Sequence, residues 1–171
     1  RRRIFDITKI LENFNKKDLM INSVIGGVIV QEFNSKLIDE TKTVSEKKPN
    51  QDEIKTAEFA FKIVKHCNSN EITLVNEKQA TELGVGQLSR VDSVKIAIKE
   101  AKEAGFDING SIMGSDAFFP KADAPLIAIE EGIKGIIQPG GSKSDDEIIK
   151  LIDDKEVFMI MTNMRHFKHS R

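Results

Sequence analysis

Residues 89–113, SRVDSVKIAIKEAKEAGFDINGSIM, decide how this chain folds. Val91, Val94, Ala97, Ile98 and Ala101 recur at helical spacing, which predicts an amphipathic helix over residues 89–104 with one buried face. Ser89 is a favoured N-cap, Asp92 stands where a capping box needs its acid, and Gly105 ends the helix in the usual C-terminal manner. Residues 111–113 follow as a short apolar strand. A helix running straight into a buried strand is the unit from which layered α/β structures are built.

The same alternation extends in both directions. Upstream, Ile4, Ile7, Ile10, Leu11 and Phe14 predict a helix over residues 1–14. Residues 20–33 read as a strand in which Gly26-Gly27 allows a bulge or close backbone contact. Residues 36–50 are polar and read as a connecting loop and subdomain linker. A helix is expected from residue 50 or 51 to 67, with Ile54, Ala57, Phe61 and Val64 as its apolar stripe and Asp52 and Glu53 favouring its N-terminal dipole. Residues 72–75 form a strand and 81–87 a second extended piece. Downstream come a helix over 124–131, a strand over 133–138, a helix over 145–153 and a strand over 157–161. The pattern is α/β with a substantially parallel sheet. Residues 1–48 form a connecting region and 49–171 the main subdomain.

Composition narrows the function classes. A net charge of −1 supplies no global field for nucleic acid or an anionic membrane. Arg1-Arg2-Arg3 reads as a solvated end. One cysteine, Cys67, forbids an intrachain disulfide and any zinc site built on several thiolates. It also fits a reducing, cytoplasmic setting. The longest apolar run, residues 24–30, is too short to span a bilayer. A start at Arg1 in place of Met implies that the chain begins inside a longer protein.

Five loops hold polar residues that composition does not explain. Residues 65–70 end on Asn70, whose amide either caps a turn or holds a substrate carbonyl or amine. Residues 84–93 form a glycine-rich turn into the helix. There Arg90 opposes the helix dipole, so a ligand role stands beside a structural one. Residues 114–123 carry Phe118-Phe119-Pro120, either core plus turn or a stacking wall for a flat heterocycle. Pro139-Gly140-Gly141-Ser142 suggests a phosphate cradle but lacks a P-loop's lysine and spacing, and a tight turn is favoured. The tail 163–171 offers Arg165 for a phosphate and His169 for proton transfer, against the plainer reading of a basic surface tail.

Taken in order, Ser69-Asn70, residues 86–93 (GQLSRVDS), 115–120 (SDAFFP), 137–142 (IQPGGS) and 164–169 (MRHFKH) resemble one family, the bifunctional AICAR transformylase/IMP cyclohydrolases. The resemblance runs from about Gly26 to His169. It implies a cytidine deaminase-like three-layer subdomain with a mixed, mostly parallel sheet and helices on both faces. It also implies transfer of a formyl group from 10-formyltetrahydrofolate to the 5-amino group of AICAR, in de novo purine biosynthesis. By resemblance, Asn70 lies near the transferring formyl group and His169 near the reacting amine. Arg165 holds the AICAR phosphate, and Phe118 and Phe167 pack against the nucleotide. Arg90, Val91, Pro120 and Asp123 face the folate. Ser69 and Asp116 match positions near a monovalent-cation site. No zinc is expected, because the H-x-E and P-C-x-x-C signatures of zinc deaminases are missing from the sequence.

The chain departs from the family in places. Lys65-His66 is not the family's catalytic Lys-His pair, which an upstream region supplies. Lys121 replaces an aromatic, Leu88 a methionine and Gly114 an alanine. The resemblance implies a fragment with part of a site, inactive alone. It would work as a homodimer with the remainder of the transformylase domain in cis or trans. A non-catalytic nucleotide- or folate-binding module, or a dimerisation module, is the alternative.

Overall fold

The computed structural model describes residues 5–12, 19–38, 40–77 and 79–168. The chain divides into two compact units, residues 1–36 and 37–171. In the first, α1 (Thr8–Glu12) precedes a hairpin of β1 (Leu19–Val24) and β2 (Gly27–Glu32). The stretch expected to be one strand is therefore two. Gly26 takes φ +84°, a conformation open to glycine, and the chain reverses there. Of the helix expected over residues 1–14, α1 is the described part; residues 1–4 and 13–14 lie outside the described residues.

The second unit contains β3 (Lys42–Thr43), α2 (Gln51–Val64), β4 (Ile72–Val75), β5 (Ala80–Gly84) and α3 (Arg90–Glu103). After these come β6 (Ile112–Ser115), α4 (Asp123–Glu130), β7 (Gly135–Gln138), α5 (Asp145–Asp154) and β8 (Phe158–Met161). Six strands form one mixed sheet in the order β3-β8-β7-β6-β4-β5. Its core, β6-β7-β8, is parallel, while β3, β4 and β5 join antiparallel.

Local chemistry explains where the helices begin. Asn50 closes a full capping box on α2: its side chain accepts from the Asp52 and Glu53 N–H groups, and Glu53 Oε2 accepts from the Asn50 N–H at 2.8 Å. Ser89 caps α3 as the sequence predicts, and Gly105 follows at φ +80°. At 139–142 the tight turn holds. Gly141 and Ser142 N–H both donate to Asp145 Oδ2, at 2.7 and 3.0 Å, so the turn's amides are satisfied by the helix that follows.

The layers follow from strand alternation. Ile112, Ile137, Phe158 and Ile160 pack with Ala57, Ala60, Phe61 and Val64 of α2 on one face. Met113, Ile136 and Met159 turn to the other, against Val94, Ala97 and Ala101 of α3, Ala128 of α4 and Ile148 and Ile152 of α5. Three layers with helices on both faces result, as expected. No helix among the described residues is long and apolar enough to cross a membrane.

Candidate active site

Register brings the suspicious loops together. β4 runs antiparallel to β6 with Ile72 opposite Ser115, and antiparallel to β5 with Ile72 opposite Gly84. The residues before β4, after β6 and after β5 therefore meet at one end of the sheet. β7 and β8 run parallel to β6, so the chain leaving β8 emerges at that same end. The tail then crosses the strand ends in turn. Thr162 N–H donates to Gln138 O (3.0 Å), Asn163 N–H to Pro139 O (3.1 Å) and His166 N–H to Asp116 O (3.0 Å). The last rung is double: Ser69 N–H donates to Lys168 O, and Lys168 N–H to Ser69 Oγ, both at 2.7 Å.

Beneath this crossing lies a buried polar cluster. Arg90 is 8% exposed and Asp116 1%, and the two form an ion pair through Nη1 and Oδ1. Asp116 Oδ1 also accepts from the Glu71 N–H at 3.2 Å, and Oδ2 accepts from the Ser69 hydroxyl. Arg90 Nη1 donates to Ser115 Oγ (3.0 Å) and Nη2 to Asn70 Oδ1 (3.1 Å). Asn70 Nδ2 in turn donates to the Gln87 and Leu88 carbonyls, at 2.9 and 3.3 Å. The Ser69–Asn70 peptide is cis.

Above the cluster opens a cavity of about 360 Å³. Buried Arg90 lies at its floor with Asn70, and Leu88, Ser89, Ala117, Phe118, Pro120, Arg165 and Phe167 complete its lining. The Phe118-Phe119 pair splits: Phe119 is fully buried in the core, whereas Phe118 reaches the cavity. The Arg165 guanidinium lies 4.3 Å from the Phe167 ring centre and 5.7 Å from that of Phe118, which orients it between two aromatic faces.

Of the residues expected to act together, Asn70, Arg90, Phe118, Pro120, Arg165 and Phe167 line this one cavity. Ser69 and Asp116 lie buried in the cluster below it. Val91 and Asp123 are not among the lining residues: Val91 is packed against the core, and Asp123 Oδ1 accepts from the Ala124 N–H. His169 falls outside the described residues.

Three supporting residues escaped sequence reasoning. Glu71 is fully buried, and burial pushes its carboxyl up to about 7. Its Oε1 accepts from Thr73 Oγ1 at 2.6 Å, while Oε2 has no N–H or O–H partner among the described residues. The available signal was an acid directly before the short strand over residues 72–75. Ser115 accepts from Arg90 and donates to Ala117 O at 2.8 Å, tying the cluster to the cavity wall. His166 packs its ring 5.0 Å from Phe61, and its Nε2 lies 2.7 Å from Leu37 O. A carbonyl only accepts, so Nε2 carries the proton. Burial lowers the pKa of His166, which favours the neutral ring. Burial, with Glu71 alongside, also pushes the Cys67 thiol up to about 12, which removes it from nucleophilic chemistry.

Comparison with known proteins gives this geometry its context. Residues 1–100 match the family described as the AICARFT/IMPCHase bienzyme. The chain belongs to that family. It is 49% identical over 145 residues to the bifunctional purine biosynthesis protein PurH of Chlorobium phaeobacteroides (strain BS1), covering 84% of this chain and 28% of the relative. The PurH of Chlorobaculum parvum is 47% identical over the same length, with the same coverage. That of Persephonella marina is 41% identical over 161 residues, covering 93% of this chain and 31% of the relative. The chain thus spans roughly three-tenths of the length of these curated relatives.

Proposed function

We propose that this chain carries part of an AICAR formyltransferase site of de novo purine biosynthesis. The observation that carries the reading is the convergence of Asn70, Arg90, Phe118, Pro120, Arg165 and Phe167 on one cavity. By the resemblance Asn70 stands near the transferring formyl group, Phe118, Arg165 and Phe167 belong to the nucleotide, and Arg90 and Pro120 to the folate.

In this reading Arg165 grips the nucleotide phosphate and the base lies against Phe118 and Phe167. The AICAR amine is a poor nucleophile because the ring carboxamide withdraws electron density. Binding must therefore orient it against the formyl carbon of 10-formyltetrahydrofolate. The amine nitrogen attacks that carbon, His169 takes the proton the amine gives up, and the bond from carbon to the folate N10 breaks as N10 keeps the electron pair and is protonated, so the proton lost by the amine is matched by one gained at N10. Arg90 and Pro120, with Val91 and Asp123 behind them, face the folate. The family's Lys-His pair comes from the rest of the transformylase domain, in cis or trans, and the working form is a cytoplasmic homodimer. A monovalent cation near Ser69 and Asp116 belongs to the same proposal, and buried Glu71 Oε2 is an oxygen it would meet.

Titrating the chain with AICAR and with its dephosphorylated nucleoside tests the reading. Binding of the nucleotide that Arg165→Ala weakens about tenfold or more, with the nucleoside unaffected, is the expected result. Equal binding of both, or none, counts against it. A non-catalytic nucleotide-binding module is the second reading, for which the cavity between Arg165, Phe118 and Phe167 alone would suffice. Formyl transfer separates the two.

A further inference from the structure

A second cavity, of about 540 Å³, opens at the C-terminal end of α2 and is lined by Leu37, Lys62, Ile63, Lys65, His66 and Cys67. Its volume falls in the range of small-molecule sites. Leu37, Ile63 and the Cys67 thiol, kept protonated by its burial, supply apolar wall. Lys62 and Lys65, three apart in helical backbone, add two ammonium groups on one side. The last carbonyls of the helix are taken within the chain: Phe61, Ile63 and Val64 O accept from the N–H groups of Lys65, His66 and Cys67, at 3.3, 2.8 and 3.3 Å. The acids of the first turn, Asp52 and Glu53, stand at the other end of α2. Apolar wall beside paired cations suits an anion with an apolar body.

Two stretches of chain serve both cavities. In residues 65–70, Lys65, His66 and Cys67 line the second cavity, Ser69 joins the buried polar cluster and Asn70 lines the first cavity. In the tail, Arg165 and Phe167 line the first cavity, while His166 between them is buried against Phe61 and donates through Nε2 to Leu37 O at 2.7 Å. A ligand that moves Leu37 loads that hydrogen bond, and through it the residues on either side of His166. We propose that the second cavity binds a compact organic anion, with its apolar body against Leu37 and Ile63 and its acid group between Lys62 and Lys65, and that occupancy is transmitted to the first cavity through Leu37 and His166. Neither half needs the formyl-transfer reading; the first cavity serves only as the place where the effect is read.

Backbone amide NMR on the ¹⁵N-labelled chain, titrated with 3-phenylpropionate and with its neutral amide, tests this. Saturable shifts are expected at residues 37 and 62–67, with smaller ones at 165–167. The neutral compound binds about threefold more weakly, the scale of an exposed charge pair, and added salt narrows the difference. Lys62 is exposed, so Lys62→Gln leaves the fold intact; the variant loses much of the preference for the anion and binds the neutral compound as before. His166→Phe keeps a ring against Phe61 but loses the bond to Leu37, so the shifts at 165–167 vanish while those at 62–67 remain. Absence of shifts at residues 37 and 62–67 overturns the site, as does equal binding of the two compounds. Shifts at the site that never reach 165–167, or that reach them equally in His166→Phe, overturn the transmission through His166.

Discussion

Asn70 and Arg90, twenty positions apart, share a hydrogen bond of 3.1 Å from Nη2 to Oδ1 at the floor of the cavity. Arg90 in turn is the ion-pair partner of buried Asp116. A residue that faces ligand is thereby tied to one that holds the fold, and substitutions there should affect both.

Arg90→Ala leaves the Asp116 carboxylate buried without its cation. The expected cost is about 3–5 kcal/mol of unfolding free energy, read from urea denaturation. Arg90→Lys keeps a charge but loses the fork that reaches Ser115, Asp116 and Asn70 together, so it should recover only part of the loss.

Glu71 makes stability depend on pH. Its folded-state pKa is raised from 4.5 to about 7 by burial. Its contribution is fully present below 4.5 and is lost as pH rises through about 7, because the unfolded chain ionises first. The span corresponds to roughly 3 kcal/mol. His166, lowered from 6.5, acts in the opposite sense, its contribution being lost as pH falls below that value. Comparing the chain with Glu71→Gln separates them: the variant should gain stability at pH 8 relative to pH 5. An unchanged difference between the two pH values would remove Glu71 from the account.

Gly84 sits where β5 meets α3, and a Cβ there would overlap the Ser93 carbonyl oxygen. Backbone cannot swing aside as a side chain can. Gly84→Ala should therefore push α3 off the sheet at a cost of about 2 kcal/mol or more. Because Arg90 opens that helix and faces the folate in the proposed reading, folate affinity should fall with stability. A variant that binds normally would show that the position of α3 is not critical.

Ser69→Ala removes the hydroxyl that donates to Asp116 and accepts from the Lys168 N–H. Amide exchange should quicken at residues 166–168, with the sheet strands unaffected. Unchanged exchange would mean that the backbone rungs alone hold the tail.

How far the sequence could be read depended on how local each feature is. The bounds of α3, its Ser89 cap and the turn at 139–142 follow from neighbours in sequence, and they were legible. The hairpin was read as one strand because Gly26-Gly27 permits a bulge or a reversal equally. The two-residue strand β3 is held only by pairing with Ile160 and Met161, and nothing in Lys42-Thr43 announces it. The cavity was legible as separate strings of residues. Their meeting depends on Ile72 lying opposite both Ser115 and Gly84, and on the tail crossing the strand ends, neither of which periodicity contains. Glu71 went unnoticed because its significance is burial, a property of the folded sheet.

The central claim is that this cavity is part of a formyl-transfer site. Its most direct test is tetrahydrofolate production from 10-formyltetrahydrofolate and AICAR, with this chain combined with the remaining transformylase region of a relative. The account predicts turnover that needs both pieces and is lost in Arg165→Ala and strongly reduced in Asn70→Ala. Failure of the assembled and demonstrably folded pair to transfer formyl, or turnover indifferent to both substitutions, would contradict it.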